Sequence, residues 1–198
     1  WDLTPDAKAR RPSQRIRVKG DRKTFMECHR RIFMYPKVVI AQVHGYCFGF
    51  GLMMAESCDF IVAAEDALFA HLDQRLGFGG CGIGTIPILY LTVGLKKATD
   101  LLVTGRIING KEAERIGLAT MVVPNDKLEE ETNKLAEAIA LLPRDGIIMG
   151  KMYRVFLYDR MGLDTGFTEG AFFHTWFTNL RYEPDEWSFI KARRNIGV

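Results

Sequence analysis

Long apolar runs are missing from this chain of 198 residues. The longest nearly uncharged stretch, Ile83 to Leu95, is interrupted by Pro87 and Gly94. It falls short of the ~20 residues that a membrane-spanning helix needs. Cysteine is sparse as well. Cys28, Cys47, Cys58 and Cys81 form no CxxC pair and no dense disulfide framework. Reduced thiols in the cytoplasm or an organelle matrix are therefore expected. Trp1 to Arg17 is charged, contains Pro5 and Pro12, and lacks the apolar centre of a secretory leader. Internal repeats and low-complexity tracts are absent, and no GK[ST] follows any glycine run, which excludes a P-loop.

What remains is an ordinary globular composition, 47% apolar and 26% charged, in a chain long enough to bury one core. Charge is unevenly placed. Trp1 to Lys37 carries eleven Lys/Arg against four Asp/Glu, a local +7, while the whole chain is +3, leaving −4 for the rest. Such a segment suits a polyanion, either nucleic acid or the phosphates of a nucleotide-like ligand; a solvated loop and helix face is the plainer reading.

Trp1 to Asp21 reads as a loop. From Arg22, the residues Phe25, Met26, Cys28, His29, Ile32 and Phe33 recur at helical spacing. Pro36 ends that helix, because the residue before a proline is pushed from the helical region. Lys37–Val43 is a β-branched run expected to be a strand buried on both faces. A glycine-punctuated turn, His44–Gly51, leads to a short helix at about Leu52–Glu56. Asp59–Ala63 and Ala67–Ala70 read as strands, and Gly77–Gly84 as a loop. Helices are expected at Ile86–Thr92, Lys96–Thr104 and Gly110–Ile116, the last capped by Asn109. Met121–Val123 reads as a strand. Asp126–Leu142 is a strongly periodic helix with Asn125 or Asp126 as its cap. Beyond it, helices break near Gly162–Gly166 and at Pro184.

The chemistry concentrates between Val38 and Gly77. A buried strand enters a turn containing Gly45, Gly49 and Gly51, where the backbone can take positive φ or approach a ligand closely. A helix starts at once, so the turn presents amide groups backed by the positive end of a helix dipole. That arrangement favours an oxyanion. A glycine turn that only lets strand and helix pack carries equal weight at this point.

Several linked motifs then occur in order: KVVIAQVHGYCFGFG, SCDFIVAAEDALFAHLD, RLGFGGCGIG and DLLVTGRIINGKEAERIGLATMVVP. Together they resemble the crotonase (enoyl-CoA hydratase/isomerase) superfamily, ungapped from Lys37 to about Gly77 and continuing through Pro124. The resemblance implies an α/β, crotonase-like ββα spiral with a C-terminal helical trimerisation region. It divides the chain into 1–142, the catalytic spiral without its N-terminal units, and 143–198, the helical region. It also implies an acyl-CoA thioester as substrate, no separate cofactor or metal, a homotrimer or dimer of trimers, and no membrane partner; nucleic acid is not expected.

Site residues carry over one by one. The resemblance assigns one oxyanion-hole N–H to Phe50, flanked by Gly49 and Gly51, and places the second donor in an earlier unit before Trp1. The family's first catalytic glutamate position is occupied by Met53, whose thioether does not shuttle protons. The second is occupied by Asp73, which keeps the carboxylate. Hydration usually shares its proton work between two carboxylates, whereas moving a double bond needs one group that removes and returns a proton. Double-bond isomerisation or an atypical hydration using Asp73 is the expectation. Phe48, Gly49, Gly51, Met53 and Phe78 are expected to bind substrate, and Lys191 and Arg193 to hold CoA phosphates.

Glu56 shares a helix face with Met53, but an exposed helix carboxylate is the commoner outcome. His71 faces the side of Asp73 if that stretch is extended, and a structural histidine is the expectation there. GFGGCG, from Gly77 to Gly82, matches GxGxxG literally. The preceding LDQRL is a poor strand, which argues against a dinucleotide fold. Cys28, His29, His44 and Cys47 match no structural zinc spacing. A catalytically inactive CoA-ester-binding or RNA-binding relative is the alternative, weakened by the lack of interleaved aromatics between Arg10 and Lys23.

Overall fold

The computed structural model describes residues 14–76 and 84–177. The chain enters through α1 (Gln14–Asp21), a π-helical turn (Arg22–Glu27) and α2 (Cys28–Phe33). The expected loop up to Asp21 is thus a helix from Gln14 onward. Its sequence is poor in apolar residues, so tertiary contact supplies the stability that local propensity lacks. The Asp21 carboxylate accepts a 2.8 Å hydrogen bond from Thr175 Oγ1 and lies 3.1 Å from His174 Nδ1.

The next elements are β1 (Ile40–Val43), β2 (Tyr46–Phe48), α3 (Phe50–Glu56), β3 (Phe60–Ala64) and β4 (Leu68–Ala70). After the glycine-rich stretch come α4 (Ile86–Val93), α5 (Leu95–Thr104), β5 (Ile108–Asn109), α6 (Gly110–Arg115) and β6 (Met121–Val123). A 3-10 turn (Asn125–Lys127) leads into α7 (Leu128–Ala140), α8 (Arg144–Arg160) and α9 (Leu163–Phe177).

The first four strands alternate between two sheets. The first is ordered β1-β3-β6 and is parallel throughout; the second is β2-β4-β5, with β2 and β4 parallel and β5 antiparallel. Each early turn of chain lays one strand in each sheet and then a helix, which is the expected ββα spiral. β1 is shorter than the Lys37–Val43 run because Val39 N–H donates to the Asp59 carboxylate at 2.8 Å instead of joining the ladder. Gln42 is exposed, so β1 is not buried on both faces. The strand that is buried on both sides is the central one, β3, where Ile61 to Ala64 are all buried.

The core gathers Leu52, Val62, Phe69, Leu89, Ala98, Leu101 and Ile108 between sheets and helices. Two tight approaches depend on glycine. A methyl group on Gly110 would lie 2.4 Å from Ala64 O, and one on Gly84 would lie 2.4 Å from Phe167 Cα. The first seats α6 against the end of β3; the second lets α9 fold back on the spiral. Asn109 caps α6 as expected, its Oδ1 accepting from Glu112 N–H at 2.9 Å. Asn125 does not cap α7. Its side chain turns instead to Asp66, 2.5 Å away. The break between α8 and α9 falls at Gly162 (φ 74°), whereas Gly166 lies inside α9, where a methyl group would stand 3.0 Å from Pro87 Cγ. Pro184 lies outside the described residues.

Candidate active site

Parallel pairing brings the candidate segments together. Phe48 is registered against Ala70, so β2 and β4 release the chain at the same end of their sheet. Gly49 leaves β2 there, and His71 to Asp73 leave β4. Gly49 N–H donates to Ala70 O at 3.1 Å and fixes the two exits side by side. Gly49 has φ 48° and ψ −116°, a combination that side chains essentially forbid. The turn therefore needs glycine for its conformation as well as for access.

Phe50 follows as the first residue of α3, and Gly49 O accepts the first helical hydrogen bond, from Met53 N–H at 3.0 Å. The Phe50 ring packs edge-on against His29 of α2, with centroids 4.6 Å apart. A methyl group added to Gly49 or Gly51 would meet nothing within 4 Å. Packing among the described residues therefore does not account for glycine at 51. Phe48 is half-buried, with its ring 5.2 Å from that of Tyr46. Met53 is only 1% exposed and fills the interior beneath the helix start. Phe78, Lys191 and Arg193 lie outside the described residues.

The expectation of an exposed Glu56 is overturned. Glu56 and His71 are both buried, and His71 Nε2 lies 2.7 Å from Glu56 Oε1. A buried carboxylate is tolerated when it is paired, and here the partner is supplied by the segment after β4. Burial alone would lower the His71 pKa. The charge and hydrogen bond of Glu56, joined by the charge of Asp73, outweigh burial and hold it above the usual imidazole value. The Asp73 carboxyl is pushed up by burial, while His71, a backbone hydrogen bond and His174 pull it back down. Glu56 Oε2, His71 Nδ1 and Asp73 Oδ2 are buried without hydrogen-bond partners among the described residues.

Sequence reasoning missed a second buried pair. Lys151 Nζ, on α8, reaches Asp59 Oδ2 at 2.5 Å and Lys37 O at 2.6 Å. Asp59 lies in the SCDFIVAAEDALFAHLD motif, but no local pattern points from it to a lysine so far along the chain. A cavity of about 290 Å³ lies between α1, the π-helical turn and α9, lined by Val18, Met26, Ala171 and Phe172 among others. Neither Phe50 nor Asp73 is among its lining residues. The described residues hold no cluster of three or more His, Cys, Asp or Glu side chains able to bind a metal.

The sequence model of the family described as "Enoyl-CoA hydratase/isomerase" matches residues 6–154. The chain belongs to that family. It is 33% identical over 153 residues to a Thermus thermophilus protein provisionally named an enoyl-CoA hydratase, covering 77% of this chain and 59% of that one. A short-chain-enoyl-CoA hydratase of Clostridioides difficile is 43% identical over 104 residues, covering 52% of this chain and 66% of the relative. The crystal structure of a probable enoyl-CoA hydratase from Mycobacterium smegmatis superposes with a TM-score of 0.76 at 30% identity, covering 88% of this chain and 68% of the other. The enoyl-CoA hydratase/isomerase chain described here thus has the crotonase-like fold. It spans between 41% and 59% of the length of the first curated relatives it matches.

Proposed function

We propose that this chain forms the catalytic core of an enzyme acting on an acyl-CoA thioester. In this reading the Phe50 N–H polarises the thioester carbonyl and stabilises the enolate, and Asp73 transfers protons at the acyl carbons. The observation that supports it best is the β2–β4 register, which sets the Gly49–Phe50 helix start beside the segment leading to Asp73. An amide at a helix start is suited to developing negative charge, and loss of one such donor typically costs about 3 kcal/mol of transition-state stabilisation. The Asp73 carboxyl, held above the ordinary value by burial, suits a group that takes and returns a proton.

Met53 removes one of the two carboxylates of ordinary hydration, so double-bond isomerisation or atypical hydration is the reaction proposed. Among the described residues nothing lies within 4 Å of a methyl group on Gly51, which leaves room for a thioester, and Phe48 and Phe78 are proposed to bind the acyl chain. Lys191 and Arg193 are proposed to hold CoA phosphates. No helix among the described residues is long and apolar enough to cross a membrane, and a cytoplasmic or organelle-matrix setting is proposed.

The deciding experiment assays a panel of enoyl-CoA esters for hydration and for isomerisation separately, with wild type and Asp73→Asn. Wild-type turnover with loss of at least ~100-fold in the variant is expected for an essential proton carrier. Full activity in Asp73→Asn would sink the mechanism. Tight ester binding without turnover by wild type would instead favour a non-catalytic binding relative.

A homotrimer is proposed from α8. Met149, Met152, Tyr153 and Phe156 are exposed at helical spacing, an apolar stripe that suits burial against another copy. Light scattering should give a trimer or dimer of trimers for wild type and a smaller species for Phe156→Glu.

A further inference from the structure

Phe50 carries the only side chain in the run from Gly49 to Gly51, and that side chain reaches another helix. Its ring meets the imidazole of His29 with centroids 4.6 Å apart and planes at 69°, an edge-to-face arrangement. His29 is fully buried. It sits on α2, which is braced in turn by the last two helices. The Phe33 ring lies 4.8 Å from that of Tyr158 on α8 and 5.5 Å from that of Phe167 on α9. Arg30 pairs with Asp164 of α9 at 2.5 Å. The imidazole is therefore a fixed surface for the Phe50 ring to rest on.

The peptide linking Gly49 to Phe50 needs such a support. On its carbonyl side the hold is the bond from Met53 N–H to Gly49 O at 3.0 Å. Rotating this peptide changes ψ of Gly49 and φ of Phe50 together. Glycine at 49 offers little resistance to the first change, and even a methyl group there would meet nothing within 4 Å. Phe50 resists the second. A half-turn would carry its φ into the positive region that a Cβ disfavours, and only glycines take positive φ among the described residues. That resistance fixes the amide only as firmly as the Cα–Cβ bond of Phe50 is itself fixed. The contact with His29 fixes it.

We propose that His29 is a positioning residue for the oxyanion: the buried imidazole seats the Phe50 ring, and the seated ring aims the Phe50 N–H. The proposal rests on the reading of that amide as a thioester donor given above. No covalent step is involved, and His29 acts through Phe50 and not on the ester. Stabilisation by such a donor depends on its direction toward the charge that develops, so aim matters as much as presence. The helical region gains a part in the chemistry by this route. α8 and α9 brace α2, α2 carries His29, and His29 steadies the donor.

The first test needs no turnover. In the ¹⁵N-labelled full chain, the order parameter of the Phe50 amide should lie in the rigid range, about 0.85. His29→Ala should lower it toward about 0.6. Phe50→Ala, which removes the ring from the exposed side of the contact, should do the same. Combining the two should add nothing, because each removes the same interaction. Phe50→Tyr keeps the ring and should keep the wild-type value. An amide at position 50 as rigid in Phe50→Ala as in wild type overturns the proposal, and does so even if His29→Ala fails to fold. Additive loss in the double variant overturns it as well.

The second test reads the aim of the donor. Butyryl-CoA labelled with ¹³C at the thioester carbonyl is bound to each protein, and the carbonyl band is followed by difference infrared spectroscopy. The band should move to lower frequency on binding wild type, and less far on binding His29→Ala or Phe50→Ala. On esters that wild type turns over, both variants should lower kcat by ~10-fold or more, short of the roughly 10²–10³-fold cost of deleting a donor outright. KM should change little, as expected when the interaction lost is one made in the transition state. A carbonyl band identical in wild type and both variants overturns the proposal, whatever happens to the folded fraction. Should the band in wild type match that of the free ester while the order parameters behave as expected, the thioester reading fails and the hold of His29 on Phe50 survives.

Discussion

Lys151, on α8, places its ammonium 2.5 Å from the Asp59 carboxylate at the start of β3, joining the helical region to the spiral. The lysine side chain is 3% exposed and the aspartate 19%, so neither charge is well solvated. Asp59 also receives Val39 N–H, and Lys151 also meets Lys37 O. One pair thus holds the ends of β1, β3 and α8.

Removing one partner of such a pair leaves a charge buried without compensation, a cost of about 3 kcal/mol. Lys151→Met is expected to lower the melting temperature by roughly 6–12 °C for a chain of this size. Adding Asp59→Asn should recover part of that loss, because the stranded charge goes with it. Calorimetry on the three proteins checks this; equal melting of Lys151→Met and wild type would show that the pair is not formed in solution.

Gly49→Ala is expected to damage the site more than the size of the change suggests. An alanine there meets no neighbour, but it must adopt φ 48° and ψ −116°. The strain is about 1–3 kcal/mol, relieved only by moving the Phe50 amide. Activity should fall with little change in melting temperature if the turn relaxes, whereas Gly51→Ala, at ordinary φ, should hinder substrate entry alone. Comparing kcat and KM for the two variants separates these outcomes.

The buried cluster also makes stability depend on pH. His71 is held above its ordinary value of 6.5, so the charged form is favoured in the folded state. That contribution is fully present below 6.5 and is lost as pH rises through the higher folded value. Asp73 is held above 3.8, mainly by burial. Its contribution is present below 3.8 and likewise falls as pH rises through its folded value. The two therefore act with the same sign. Melting temperature should decline as pH rises above 6.5, with a shallower decline in His71→Gln; parallel curves for the two proteins would contradict the assignment.

Much of the ββα core is legible in the residues alone. The short helix after the glycine turn, the strand ending at Ala70 and the Asn109 cap follow from local rules of backbone freedom, β-branching and capping, whereas β2 (Tyr46–Phe48) lies inside the stretch His44–Gly51 that reads as a turn, because its pairing partner is the distant β4. Those rules act over a few residues, so one sequence suffices to read them. They fail where distant chain supplies the stability. Gln14–Asp21 looks like loop because its helix depends on Thr175 and His174. Val39 leaves its strand because Asp59 takes its amide.

The sequence by itself determined that a helix start with glycines on both sides of Phe50 would be available, and that Met53 could not act as an acid. Only the tertiary structure decided what became of the remaining charges. Glu56 has the spacing of an exposed helix carboxylate, and nothing nearby in the chain marks it as buried. Its fate is set by the β2–β4 register, which carries His71 to within 2.7 Å of it. Desolvation then makes pairing obligatory, a condition that exists only once the spiral has closed around both groups.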